Sequence, residues 1–170
     1  ELYQKSWFEN MWDRTPQDRR VILDTQFRCP KPISDFVSAA FYDGDYHAGA
    51  GMEKKQSILS FCVGPLAFVD TQHVNNRRES SVQNGDRMDV TGNELETMIV
   101  VDLLERAVAE RPELADKREI GVIVPYAKHV EQIRAEIARR RKNGQLRALN
   151  CPLHELVASV DSFQGQERDL

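Results

Sequence analysis

The sequence predicts an α/β fold: a parallel sheet with helices on both faces. Three observations carry this expectation. Short apolar runs alternate with amphipathic helical segments in the order strand–helix–strand–helix–strand–helix–strand, as expected of strands joined by helical crossovers. One run, "EIGVIVPY" at 119–126, shows no polar alternation, as expected of a strand buried on both faces. The 170 residues, 41 % hydrophobic and 29 % charged, suffice for one packed domain with an ordinary globular surface.

The elements follow in order. Ser6 and Glu9 have capping-box spacing, and Trp7, Phe8, Met11 and Trp12 follow at helical intervals, so a short helix starts there. "RVILDTQF" predicts a strand near 20–24. In "PKPISDFVSAAFYDG", Ile33, Phe36, Val37, Ala40 and Phe41 follow the pattern of one buried helical face, with Pro32 suited to the first turn and Gly44 to the stop. Residues 43–57 read as loop, and "PLAFVDT" at 65–71 reads as a strand. Residues 72–93 hold few apolar residues and many turn formers, which predicts a long exposed loop. Asn93 and Glu96 cap a helix running to about 110, where Pro112 bars its continuation. After the 119–126 strand, Tyr126, Val130, Ile133 and Ile137 stripe a helix ending near Asn143 and Gly144. A polar connection leads to a last strand at 156–160.

Composition narrows the function classes. A net charge of −4 argues against a surface coated with basic charge, while "RRRK" at 139–142, the Arg19, Arg20 pair and the Arg77, Arg78 pair are local clusters that read first as solvated helix ends or loops. Three scattered cysteines make no disulfide framework, and a reducing cytoplasm is the expected compartment. Cys151 and His154 form a C-x-x-H pair, but no second close pair exists to complete a zinc site, so no metal site is expected. No apolar stretch approaches the ~20 residues of a membrane span. The start is charged throughout and lacks Met, so a piece of a longer chain is expected.

Ligands in open α/β sheets bind beyond the carboxyl ends of the strands. Two polar segments fall there. "TQFRCP" delivers Gln26, Phe27 and Arg28: a hydrogen-bonding amide, a flat ring able to stack on a base, and a permanently charged fork of donors suited to phosphate. The bland alternative is a core Phe27 and a surface ion pair for Arg28. "DSFQGQE" places Gly165, which permits close backbone approach, among Gln164, Gln166 and Glu167. Its bland alternative is an ordinary strand-to-helix turn with a capping acid.

Taken together, the two segments resemble a known family. "LDTQFRCPKPISDFVSAAFYDGDY" is similar to motif IV and its following helix in superfamily 1 helicases of the up-frameshift-like branch, and "VASVDSFQGQERDL" is similar to motif V. "PLAFVDT", "NELETMIVVDLLERAV" and "IGVIVPYAKHVEQI" resemble the intervening elements in the family's order. The resemblance implies a second RecA-like domain of an ATP-driven helicase, a domain of the P-loop NTPase type. ATP with Mg²⁺ would be held mostly by a first RecA-like domain of the same protein, and single-stranded DNA or RNA would cross both. By the same resemblance Arg28 reaches the γ-phosphate and Phe27 stacks on the base, with Gln26 beside them. Gln164, Gly165 and Glu167 would lie at the nucleotide, and Pro125, Tyr126 and Ser162 at the nucleic-acid backbone. One departure stands out: Cys29, Pro30 and Lys31 replace the usual Met-His-Pro, with proline one place early.

No G-x-x-x-x-G-K-[ST] occurs, and the family's arginine-bearing motif VI is missing. The expectation is therefore a domain fragment cut just after motif V, incomplete at its C-terminal end and without ATP turnover by itself. Two other readings stay open: a RecA-like relative that has lost catalysis and serves as a nucleic-acid-binding or interaction module, and, more remotely, an unrelated small α/β nucleotide-binding enzyme.

Overall fold

A computed structural model describes residues 5–54, 59–75, 80–84, 87–116 and 119–165, with the backbone alone at 80–84, 87–91 and 116. The chain divides into two compact units, Glu1–Ser57 with Cys62–Ala67, and Ile58–Phe61 with Phe68–Leu170. The fold is α/β, and among the described residues two of the three strand pairs are parallel.

In the first unit the capping box forms as the spacing requires. Ser6 Oγ accepts from Glu9 N–H at 3.1 Å, and Glu9 Oε2 accepts from Ser6 N–H at 2.6 Å, opening α1, Trp7–Arg14. Strand β1 is only Thr25–Gln26, and it pairs in parallel with β2, His47–Ala48. The expected strand at 20–24 is not a strand. Its ladder contact begins only where His47 N–H donates to Asp24 O at 2.6 Å, and Val21, Ile22 and Leu23 are exposed. A strand needs a neighbour along its length, and no described element flanks these three residues. The same reason removes the expected 65–71 strand: Leu66, Phe68 and Val69 are exposed and belong to no ladder.

Helix α2, Lys31–Phe41, begins at Pro30 with Pro32 in its first turn. Gly44 N–H returns to Ser38 O at 3.2 Å just beyond its end. Its buried face is rotated from the expected one. Ser34 and Ser38 are buried and Ile33 and Val37 half-buried, whereas Phe36, Ala40 and Phe41 are exposed. Polar backbone sets this orientation, since Ser38 Oγ accepts from Tyr46 N–H at 3.2 Å on the approach to β2.

The second unit holds the main core. Two strands, β3 Ser80–Asn84 and β4 Arg87–Gly92, pair antiparallel where the sequence reads as loop. Helix α3, Glu94–Glu110, starts as expected, with Asn93 Oδ1 accepting from Glu96 N–H at 3.1 Å. Pro112 ends it and opens a further short helix, α4, Pro112–Asp116, in keeping with proline's tolerance at a first turn. Strand β5, Val122–Val124, pairs in parallel with β6, Val157–Ser159, and between them run α5, Ala127–Lys142, and the one-turn α6, Leu153–Leu156. A last turn of helix, α7, Val160–Phe163, follows β6 directly.

Val101 and Leu104 of α3 and Val130, Ile133 and Ile137 of α5 pack with Val124 and Val157. Val130, Ile133 and Ile137 of the expected α5 stripe are in the core, whereas Tyr126, its fourth member, stands at the N-cap and is 47 % exposed. β5 departs from the expectation of burial on both faces, because Ile123 is 57 % exposed while Val124 is buried. The packed α3 and α5 cover the Val124 side.

Candidate functional site

In the first unit, the end of β1 is a side-chain-built turn. Gln26 is buried, and its Oε1 accepts from the backbone N–H of Arg28 at 2.8 Å and of Cys29 at 2.7 Å. Its Nε2 donates to Cys29 O at 2.9 Å. Both acceptor sites of the amide oxygen are thus used within the turn. The sequence reading placed Gln26 at a ligand; the structure shows its amide holding the backbone that carries Arg28. Phe27 projects outward and is 66 % exposed, so it is not the core residue of the bland alternative. Arg28 is exposed too. Cys29 is half-buried at the entrance to α2.

In the second unit, β5 and β6 run parallel, so their carboxyl ends share one edge. That edge brings Pro125 and Tyr126, after β5, to the side from which Ser162, Gln164 and Gly165 emerge after β6. Pro125, Ser162, Gln164 and Gly165 are exposed, and Tyr126 is 47 % exposed. Ser159 caps α7: its Oγ accepts from Ser162 N–H at 3.4 Å and lies 3.0 Å from Ser162 Oγ. Phe163 is buried and anchors the turn. Gly165 has φ +80, a backbone region that favours glycine, and a Cβ there would meet no atom of the described residues within 4 Å. Glu167 lies outside the described residues, as do Gln166, Arg77 and Arg78.

Behind Tyr126 is a buried polar chain that sequence reading missed. Thr97 Oγ1 donates to Asn93 O at 2.8 Å, so its single proton is used. The 3.2 Å contact with His129 is then made by His129 Nε2–H donating to Thr97 Oγ1. The chain ties the first turn of α5 to the start of α3. The sequence signal was a histidine and a threonine at inward-facing helical positions, the threonine four residues after the Asn93 cap.

Of the "RRRK" cluster, Arg139, Arg140 and Arg141 bond within the chain, while Lys142 is exposed. Arg140, 6 % exposed, pairs with Asp102 at 2.6 Å, Glu105 at 2.7 Å and Glu136 at 3.0 Å. Burial opposes its charge, but the bonds to Glu136, Asp102 and Glu105 outweigh burial and raise its pKa. Arg139 also bonds Glu136, at 2.6 Å, and Arg141 Nη2 donates to Cys151 O at 3.0 Å. The hydrogen bond from Arg139, helped by that from Arg140, lowers the Glu136 pKa from its ordinary 4.5 to about 2 against the penalty of burial. Of the Arg19, Arg20 pair, Arg20 donates to Thr15 O at 2.6 Å and lies over the Trp12 ring.

Among the described residues there is no group of three or more His, Cys, Asp or Glu side chains able to hold a metal ion, and no helix long and apolar enough to cross a membrane.

Comparison with known proteins places the chain. A family model described as an AAA domain matches residues 3–170. The chain is 30 % identical over 154 residues to Helicase SEN1 of Saccharomyces cerevisiae, covering 88 % of this chain and 6 % of that protein. It is 32 % identical over 155 residues to the ATP-dependent helicase NAM7 of the same yeast, covering 88 % and 14 %. It is 41 % identical over 155 residues to the putative helicase MOV-10 of Gallus gallus, covering 84 % and 15 %. The chain thus spans less than a fifth of the length of these relatives. With a whole-length family match and relatives that are themselves helicases, the chain belongs to the AAA domain family, on the superfamily 1 helicase branch.

Proposed function

We propose that this chain is the second RecA-like domain of an ATP-dependent helicase or translocase, and that it supplies Arg28 to the γ-phosphate. The observation that carries the reading is the Gln26 clamp, which holds the backbone of an exposed arginine next to an exposed aromatic ring at the end of β1. The residues suit a nucleotide: Phe27 offers a flat face for a base, and Arg28 offers a fork of donors for phosphate oxygens. Gly165, at positive φ and with no side chain, suits close approach of a phosphate, and Gln164 offers an amide next to it. Glu167 is the proposed partner of the ribose hydroxyls.

ATP, when bound, supplies the phosphoryl group that is transferred to water. Arg28 stabilises the charge that develops on that group, a role worth about 10³–10⁵ in rate. Mg²⁺ and most of the triphosphate would be held by a first RecA-like domain of the intact protein. Because the arginine and the phosphates come from different domains, hydrolysis requires closure, and closure changes the grip on the strand. Pro125, Tyr126 and Ser162 would contact the backbone of single-stranded DNA or RNA.

The test compares the intact protein with the 170-residue chain. ATP turnover by the intact protein should rise on addition of single-stranded DNA or RNA, the two strands being assayed separately. The chain by itself should show none above background. An intact protein that binds either strand and never hydrolyses ATP would instead be a catalytically inert binding module.

A further inference from the structure

Gly49 sits against the ring of Phe27. It follows β2, is buried, and is fixed on both sides: its N–H donates to Gln26 O at 2.7 Å, and its carbonyl accepts from Met52 N–H at 3.2 Å. It is not among the residues with positive φ, so its backbone conformation does not demand glycine. Space does. A Cβ at Gly49 would stand 2.2 Å from Phe27 Cε1, 2.4 Å from Cδ1 and 2.7 Å from Cζ. Carbon atoms rest about 3.5–4.0 Å apart, so any side chain at 49 must drive the ring from its place. The backbone at 49 cannot easily yield instead, because its bond to Gln26 O belongs to the same strand end that carries the ring.

We propose that Gly49 is a positioning residue for the nucleotide base: its missing side chain sets where the Phe27 ring stands, and through the ring it sets affinity for the base and not for the phosphates. The inference rests on the reading of Phe27 as the base-stacking residue. It adds a second residue, 22 positions away in sequence and chemically silent, to the determinants of nucleotide affinity.

The test uses four forms of the intact protein: wild type, Gly49→Ala, Phe27→Ala and the double variant. The readouts are the KM and kcat for ATP and the inhibition constant of inorganic tripolyphosphate, which has no base. Loss of a base–aromatic stack weakens binding by about tenfold, so Phe27→Ala should raise the KM by that order. Gly49→Ala should raise it about three- to tenfold, with kcat and the tripolyphosphate constant little changed. In the Phe27→Ala background, Gly49→Ala should add nothing, since the ring it displaces is gone. If Phe27→Ala leaves the KM unaltered, the stacking role fails and this inference fails with it. If Phe27→Ala raises the KM but Gly49→Ala does not, or acts by the same factor in both backgrounds, the Gly49 inference fails and the stacking role stands. Should Gly49→Ala not fold, the double variant decides. A melting temperature matching Phe27→Ala supports the ring contact as the reason for glycine, and failure to fold there overturns it.

Discussion

Gln26 Oε1 accepts hydrogen bonds from the backbone N–H of Arg28 at 2.8 Å and of Cys29 at 2.7 Å, so one buried amide fixes the backbone of the arginine that follows it by two residues. Catalytic groups lose about 10²-fold for an ångström of misplacement. Gln26→Ala should therefore lower kcat for ATP in the intact protein by about 10–100-fold. Gln26→Glu keeps both acceptor bonds but sets an acceptor oxygen where Nε2 donates to Cys29 O, so its kcat should fall too, though less than that of Gln26→Ala. Steady-state kinetics of the two variants check the order. A normal kcat for Gln26→Ala would mean that the clamp does not aim Arg28.

Ile137 and Ile123 separate core from surface within the second unit. Ile137 is fully buried in the α3–α5 core, and its replacement by Ala should cost about 3 kcal/mol through lost transfer energy and the cavity left behind. Ile123, more than half exposed on β5, should cost less than about 1 kcal/mol when cut to Ala. Urea unfolding of the 170-residue chain measures both differences.

Arg140 gathers Asp102, Glu105 and Glu136 around one buried guanidinium. Removing one partner of a buried ion pair costs about 3–5 kcal/mol, but Asp102 and Glu105 retain solvent access. Arg140→Met should thus destabilise the chain by about 2–3 kcal/mol, read as a shift in the urea midpoint. An unchanged midpoint would mean that the network contributes nothing net.

The same network gives a pH dependence with a defined sign. Glu136 has its folded pKa depressed from 4.5 to about 2 by Arg139 and Arg140. Its contribution to stability is full above the unfolded value of about 4.5 and is lost as pH falls through about 2. Unfolding free energies measured across that window should decline with acid, and Glu136→Gln should reduce the decline. An identical acid profile for the variant would contradict the assignment.

What the sequence made legible was local. Ser6 with Glu9 and Asn93 with Glu96 announce their helices because a cap is a contact across three residues. The α5 stripe was legible because Val130, Ile133 and Ile137 all meet one core. Legibility failed where the outcome depended on a neighbour. "RVILDTQF" has a strand's composition, yet only its end meets β2. The paired strands β3 and β4 were hidden because their residues are mostly polar and pairing, not hydrophobicity, makes them strands. The α2 face turned because Ser38 takes a backbone N–H, a bond that periodicity ignores. At the candidate site, Phe27 and Arg28 were singled out by residue chemistry together with the family resemblance. Gly49 was not, since a missing side chain carries no pattern of its own.

The central claim is that Arg28 reaches a γ-phosphate, and single-turnover ATP hydrolysis by the intact protein tests it most directly. Arg28→Ala should slow hydrolysis by about 10³-fold or more while single-stranded nucleic acid still binds. Arg28→Lys should also fail, because an ammonium cannot reproduce the planar fork. Wild-type hydrolysis rates in both variants would contradict the account.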